Sequence, residues 1–342
     1  MKYVLEPMLL ALDENISERE FMLYINQLIL WQYWIEKYSE DVYLLSDTCD
    51  ILSIENLYPI YNVFNKLVLK YKIDYIQASD LNRMISKLVS SANKLDKKGA
   101  NNIEGNYAFN VFRIDSIQKP ETYSKNMWHT FERSMRCLFC QCVENDHDAE
   151  SYVLFSKEVQ GNFVLDVEFD MIDYQNDTIV SKSDTINVMC YSSLRDFFKN
   201  GDTPFRILRT QKHKNDLSLA IRVAVYQKGL LKTIQEAFSN YDFYIQNSFY
   251  KDYQQAHYDS QPNFLSSFVD AMGNCLLGNN MRDREDFRTG KGGNNKQLAR
   301  NNYLAWRWYV TRSVKMQYWQ KNNEYKFANI KEHDIFECQW ED

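Results

Sequence analysis

Apolar positions recur every three or four residues through much of the first hundred positions. Glu18–Tyr38 is one long apolar-rich segment, and residues 60–73 (IYNVFNKLVLKYKI) repeat at helical spacing. In LNRMISKLVSSANKL, Leu81, Met84, Ile85, Leu88 and Val89 form one stripe, and Asp80 is placed to cap it. Residues 1–96 are therefore expected to form a helical domain. The polar stretch KLDKKGANNIEGN reads as a boundary, with 97–106 as the linker.

The middle of the chain is mixed. Trp128, Phe131, Met135, Leu138 and Cys142 share a helical face across 127–143. The period then drops to two: Leu165, Val167, Phe169 and Met171 alternate with Asp166, Glu168 and Asp170, which predicts a half-buried antiparallel strand. TIVSKSDTINVMCY predicts a second strand and SLRDFFKN a short helix. LSLAIRVAVYQKGLLKTIQEAF reads as starting strand-like and ending helical. Pro262–Leu277 reads as a helix with proline at its start and Gly278 just past its end. In the last sixty residues a glycine-rich basic loop precedes WRWYVTRSVKMQYW, a turn at KNNE, and YKFANIKEHDIF, which predicts a hairpin. The expected class is α+β: a helical domain (1–96), a mixed central domain (107–280) and a basic, antiparallel β-rich C-terminal module (281–342).

Composition narrows the class. With 342 residues, 45% apolar and 15% aromatic, the chain can bury a large core, and only 10 glycines and 5 prolines imply long elements with sparse loops. The most apolar run, residues 21–35, is interrupted by Asn26, Gln27 and Gln32 and is shorter than a membrane span, so no membrane partner is expected. The first residues lack the pattern of an export signal, and the seven cysteines are odd in number. Reduced thiols in a cytoplasmic protein are the expectation.

Three groups of residues carry candidate chemistry. Cys137, Cys140 and Cys142, with His147 following and His129 upstream, have metal-like spacing, but they lie in an apolar helical stretch, where buried structural thiols are the simpler reading. The face formed by Asp166, Glu168 and Asp170 could hold Mg²⁺ for phosphodiester cleavage, although a solvated strand face explains the alternation. No cofactor is called for.

The third group is the basic module. The formal net charge of −6 gives no overall polyanion signature, yet residues 281–331 hold twelve Lys/Arg against four Asp/Glu. Five of the ten glycines fall within 273–293. Glycines let backbone amides approach phosphates, and Arg or Lys supply charge. Arg288, Lys291, Lys296, Arg300, Arg312 and Lys315 are the candidate nucleic-acid-binding residues. Trp306, Trp308, Tyr309, Tyr318 and Trp319 are interleaved with these cations, some of them placed to stack bases. A flexible basic hairpin loop packed on an acidic neighbouring domain or partner subunit is the competing reading.

The segment WRWYVTRSVKMQYWQKNNEYKFANIKEHDIF resembles the terminal strands of RelE/ParE-type bacterial toxins, over about one sixth of the chain. That resemblance implies a small antiparallel sheet and metal-independent RNA cleavage. The positions it matches are Arg307, Arg312, Lys315, Tyr318 and His333, with His333, Arg307 and Tyr318 as catalytic candidates. The expected function is a microbial protein that engages RNA or DNA, as an effector or accessory subunit of a toxin or anti-phage defence system. The alternative is a non-enzymatic interaction subunit of a multiprotein complex. Whether the protein is an enzyme stays open at this point.

Overall fold

The computed structural model describes residues 1–98, 101–115, 117–144, 149–173, 178–210, 213–228, 242–256, 258–288, 296–332 and 338–341. The chain forms two compact units, Met1–Phe197 and Phe198–Asp342. This division by contacts differs from the three-part division read from the sequence. The polar stretch 94–106 supplies Leu95, Asp96 and Ile103 to the interior of the first unit. No helix among the described residues is long and apolar enough to cross a membrane.

The first unit opens with strand β1 (Lys2–Leu5), helix α1 (Glu18–Tyr38) and strand β2 (Val42–Leu44). Helices α2 (Thr48–Ile54), α3 (Tyr61–Lys70) and α4 (Ala78–Ser91) follow, then the short strands β3 (Asn93–Lys94), β4 (Lys97–Lys98) and β5 (Asn101–Asn102). Next come β6 (Tyr107–Asp115), α5 (Lys125–Glu144), β7 (Tyr152–Phe155) and the long strands β8 (Gly161–Asp173) and β9 (Thr178–Tyr191). Helix α6 (Leu194–Lys199) runs across the division between the units.

Seven strands pair in the order β3-β2-β1-β7-β9-β8-β6. The run from β3 to β9 is parallel, and β8 and β6 extend it antiparallel. The fold is thus α+β, as expected, but residues 1–96 are not purely helical. β1 and β2 lie within the parallel part of the sheet, and such short, mostly buried strands are too brief for a sequence pattern to reveal.

Local chemistry explains the helix starts. Ser17 and Glu20 form a capping box for α1, whose Phe21, Ile25, Leu28, Trp31 and Trp34 are buried. Trp31 meets Phe155 edge-on at 5.0 Å and Trp34 meets Tyr3 at 5.1 Å, which ties the helix to β7 and β1. α4 begins before Asp80: Gln77 is the cap, and Asp80 accepts from the Gln77 amide at 3.3 Å. α5, β8 and β9 match the pattern reading closely.

The second unit contains α7 (Thr203–Arg209), α8 (Lys214–Gln227), β10 (Asp242–Ile245), α9 (Asn247–Gln255) and α10 (Pro262–Leu277). Strands β11 (Arg284–Asp286), β12 (Ala299–Arg300), β13 (Tyr303–Tyr309), β14 (Val314–Lys321) and β15 (Glu324–Glu332) complete it. The strand-like LSLAIRVAV is helix α8. Its Leu217, Leu219, Ala220, Ile221, Val223, Ala224 and Val225 are buried nearly all round, so the apolar run reflects a fully buried helix. The continuation GLLKTIQEAF lies outside the described residues. α10 has the predicted bounds, and Gly278 ends it at φ 66°.

The sheet order is β10-β15-β14-β13-β11, with β12 pairing β13. The first of the two β-rich runs is itself two strands, β13 and β14, so the hairpin is part of a larger meander. One face buries Trp308, Met316, Tyr318 and Phe327. Phe327 meets Phe249 of α9 at 5.7 Å, and Phe249 meets Phe268 of α10 at 6.3 Å.

Candidate nucleic-acid interface

The opposite face of this sheet collects charge. Directly paired residues of antiparallel strands share a face. The pairs Arg300↔Tyr303, Glu285↔Arg307, Arg307↔Gln317 and Tyr309↔Lys315 place these residues together. Lys321↔Glu324, Trp319↔Lys326 and Lys315↔Lys331 extend the same face across β15. Among the described residues, Arg300, Arg307, Lys315, Lys321, Lys326 and Lys331 therefore share it with Glu285 and Glu324.

Two backbone features make this gathering. Asn301 and Asn302 both have left-handed φ (50° and 65°), the requirement of a tight hairpin turn, and they set Arg300 opposite Tyr303. In β15, Phe327 pairs Tyr318 and Asn329 pairs Gln317, so Ala328 is an extra residue, a β-bulge. Simple alternation would send Lys326 and Lys331, five apart, to opposite faces. The bulge returns them to one face.

The face has two zones. At one end, Phe287, Tyr303, Ala305, Trp319 and Ala328 form an apolar cluster on which Trp340 rests, 5.2 Å from both Tyr303 and Trp319. The Trp319 Nε1 donates to the Gln339 carbonyl at 2.6 Å, which fastens the C-terminal segment there. Cations rim these rings. Lys326 Nζ is 4.4 Å from the Trp340 centroid and 5.2 Å from that of Tyr303. Arg300 lies 5.2 Å from Trp340, and Lys321 5.7 Å from Tyr303. Arg300 and Lys321 are exposed and Lys326 is half-buried.

At the other end the charges are neutralised internally. Glu285 Oε2 is 2.7 Å from Arg307 Nε and 3.0 Å from Lys315 Nζ, and Tyr309 donates to Oε1 at 3.0 Å. Burial alone would raise the Glu285 pKa. The hydrogen bonds from Lys315 and Tyr309 and the charges of Lys315 and Arg307 outweigh it and hold the carboxyl below its ordinary value. Lys315 is only 1% exposed and also stacks on the Tyr309 ring at 3.9 Å, so it positions Glu285 and does not reach solvent. Asp252 takes Lys331 at 2.6 Å.

The sequence-derived candidates thus separate. Arg300, Arg307 and Lys315 come together on this face. Lys296 and Arg312 are exposed, and Arg288 pairs with Asp286 at 3.1 Å. Tyr318 lies on the other face, 1% exposed, where burial pushes its phenol pKa up and Cys275 is its hydrogen-bond partner. Trp308 and Trp319 are buried too, while Trp306 and Tyr309 are half-buried. Lys291 and His333 lie outside the described residues, and so does His147. Lys321, Lys326, Glu285 and Trp340 were not singled out by the sequence reading. The period-2 pattern of the β13 strand would have pointed to the partners of Arg307, but the bulge hides Lys326 from any such count.

The other candidate groups lie in the first unit. Cys137, Cys140 and Cys142 are buried along α5, and burial pushes the Cys137 and Cys140 thiols well above their ordinary pKa. Among the described residues no group of three or more His, Cys, Asp and Glu is arranged to hold a metal ion. Asp166 and Asp170 accept hydroxyl hydrogen bonds from Thr185 (2.7 Å) and Ser181 (2.5 Å) across the β8–β9 pair. Asp166 borders an open groove of about 430 Å³ that Arg113, Glu168 and Asp184 also line.

Comparison with known proteins finds no family model, curated relative or solved structure that matches this chain.

Proposed function

We propose that the protein engages nucleic acid through the cation-rich face of its second unit, at the end where Arg300, Lys321 and Lys326 rim Tyr303 and Trp340. The observation that carries this reading is the crowding of these three cations around two rings. Cations set beside aromatic rings offer a single strand both charge for its phosphates and ring surface for its bases, and phosphate binding releases counterions. The Arg307–Glu285–Lys315 group lies further along the same face and adds a second, weaker anion contact through Arg307. Cleavage in the manner of the RelE/ParE-type toxins would draw on Arg307 and His333, and it follows only if binding is established first.

The test is binding of the full chain to labelled single-stranded RNA, single-stranded DNA and duplex DNA across a salt series. An Arg300→Ala, Lys321→Ala, Lys326→Ala triple variant runs alongside. The expected result is steep salt-dependent binding that the variant loses. Absence of binding to all three at low salt rejects the reading.

The interaction-subunit reading draws on a different observation. Leu23, Ile54, Leu69 and Tyr75, all on or beside the helices of the first unit, are each more than half exposed. Retention of binding to a protein partner by the triple variant would favour that reading.

A further inference from the structure

In the first unit, β3, β2, β1, β7 and β9 run parallel and present their carboxyl ends along one edge. The chain proceeds from β1 to β2 on one side, while β7 lies on the other. In open parallel sheets this reversal of strand order is where a crevice forms. Here it is closed.

Glu6, the residue after β1, and Ser156, the residue after β7, are both fully buried. Their amides extend the strand pairing, Glu6 N donating to Phe155 O and Ser156 N to Tyr191 O. Tyr123, from segment 117–124, reaches both. Its hydroxyl donates to Glu6 Oε2 at 3.1 Å and lies 3.2 Å from Ser156 Oγ, which is itself 3.5 Å from the same carboxyl oxygen. The Tyr123 amide donates to Pro120 O, so the segment is folded back on itself at this contact.

The groups that act most on Glu6 come from three segments. The Met8 amide belongs to its own turn, Tyr123 to segment 117–124, and Ser156 and Glu158 to the exit of β7. Cys190 of β9 also interacts with Glu6, and its thiol donates to Val159 O. No lysine or arginine is among them. Lys157, exposed beside Ser156, acts on Glu20 instead. The Met8 amide and the Tyr123 and Ser156 hydroxyls favour the carboxylate, but complete burial outweighs all three, and Glu158 adds to burial in the same direction. Burial accordingly pushes the Glu6 pKa up to about 8. Burial also pushes Tyr123 and Cys190 upward, so both stay neutral while Glu6 titrates.

We propose that Glu6, Tyr123 and Ser156 form a proton-dependent latch, which holds segment 117–124 over the carboxyl ends of β1 and β7 while Glu6 is protonated and releases it when the proton is lost. Opening lets water reach the carboxyl, so the open state favours the anion. The latch therefore weakens as pH rises from the ordinary carboxyl range and stops weakening once Glu6 is ionised even in the closed state.

Hydrogen–deuterium exchange of the full chain from pH 5 to pH 9, corrected for intrinsic exchange, tests this. In the wild type, protection of 117–124 should fall about tenfold per pH unit and flatten near pH 8. It should also be insensitive to low denaturant, as local opening is. In Glu6→Gln the protection should be independent of pH. In Tyr123→Phe, which keeps the carboxyl but removes the hydroxyl, protection should drop at every pH with the slope retained. The proposal is overturned if Glu6→Gln keeps the wild-type slope, if exchange of 117–124 tracks denaturant like the core, or if Tyr123→Phe exchanges as the wild type does. Should Glu6→Gln fail to fold, the Tyr123→Phe and denaturant results decide the matter alone.

Discussion

Lys326 holds its ammonium 4.4 Å from the centre of the Trp340 ring, and Arg300 shares that ring at 5.2 Å. Two cations are thus fixed on one aromatic platform contributed by the C-terminal segment. For nucleic-acid binding the consequence is quantitative. On a single strand each lost phosphate contact lowers the salt slope by about 0.7. The Arg300→Ala, Lys321→Ala, Lys326→Ala variant should therefore lose about two units of slope relative to wild type. A weakened affinity with an unchanged slope would mean that these residues do not meet phosphates.

The turn that places Arg300 makes a second prediction. Asn302 sits at φ 65°, a conformation that β-branched side chains strongly resist. Asn302→Val should lower stability by about 1–2 kcal/mol, read as a shift in the urea midpoint. Asn302→Gly should hold or raise it. Equal stabilities for the two variants would contradict the hairpin geometry.

Arg133 of α5 joins Asp47, Asp96 and Glu104 at 2.6, 3.1 and 3.4 Å. Asp96 is 1% exposed and also accepts from Ser46. Arg133→Met leaves that buried carboxylate without its cation and should destabilise the chain by about 3 kcal/mol. Arg133→Lys should recover only part of this, because one ammonium cannot span three carboxylates as a guanidinium does. Full recovery by lysine would show that charge alone matters there.

Glu6 links stability to pH. Its folded-state pKa of about 8 lies above the ordinary 4.5, so folding takes up a proton between these values. The contribution is fully present below about pH 4.5 and is lost as pH rises through 8, a change on the order of 5 kcal/mol. Urea midpoints should fall over that window in the wild type more steeply than in Glu6→Gln. Parallel curves would show that Glu6 does not titrate there.

What could be read in advance depended on how each element meets its surroundings. α5, β8, β9 and α10 present one face to the core and one to solvent, so their periods of 3.6 and 2 appear directly in the residues. β1 and α8 are buried nearly all round and show mostly apolar runs, which is why one merges into a helical region in the sequence and the other resembles a strand at its start. Charge concentration in 281–331 was visible by counting. Which cations stand together was not, because it depends on strand pairing between distant residues. Arg307 and Lys315 are basic in sequence but largely satisfied by Glu285, whereas Lys326 becomes prominent only through Trp340, fourteen positions on. Glu6 carried no signal at all: a lone glutamate beside a proline acquires its chemistry from Tyr123 and Ser156, more than a hundred residues away.

The unpaired Ala328 gives β15 a phase. Substituting it by another small residue would leave every downstream side chain where it is. Deleting it would invert the strand from Asn329 onward, carrying Lys331 to the side where Ile330 now packs and Ile330 out among the cations. In this sheet the position of positive charge is governed by the parity of a residue count, so an insertion or deletion of one residue there would matter more than the loss of any single lysine.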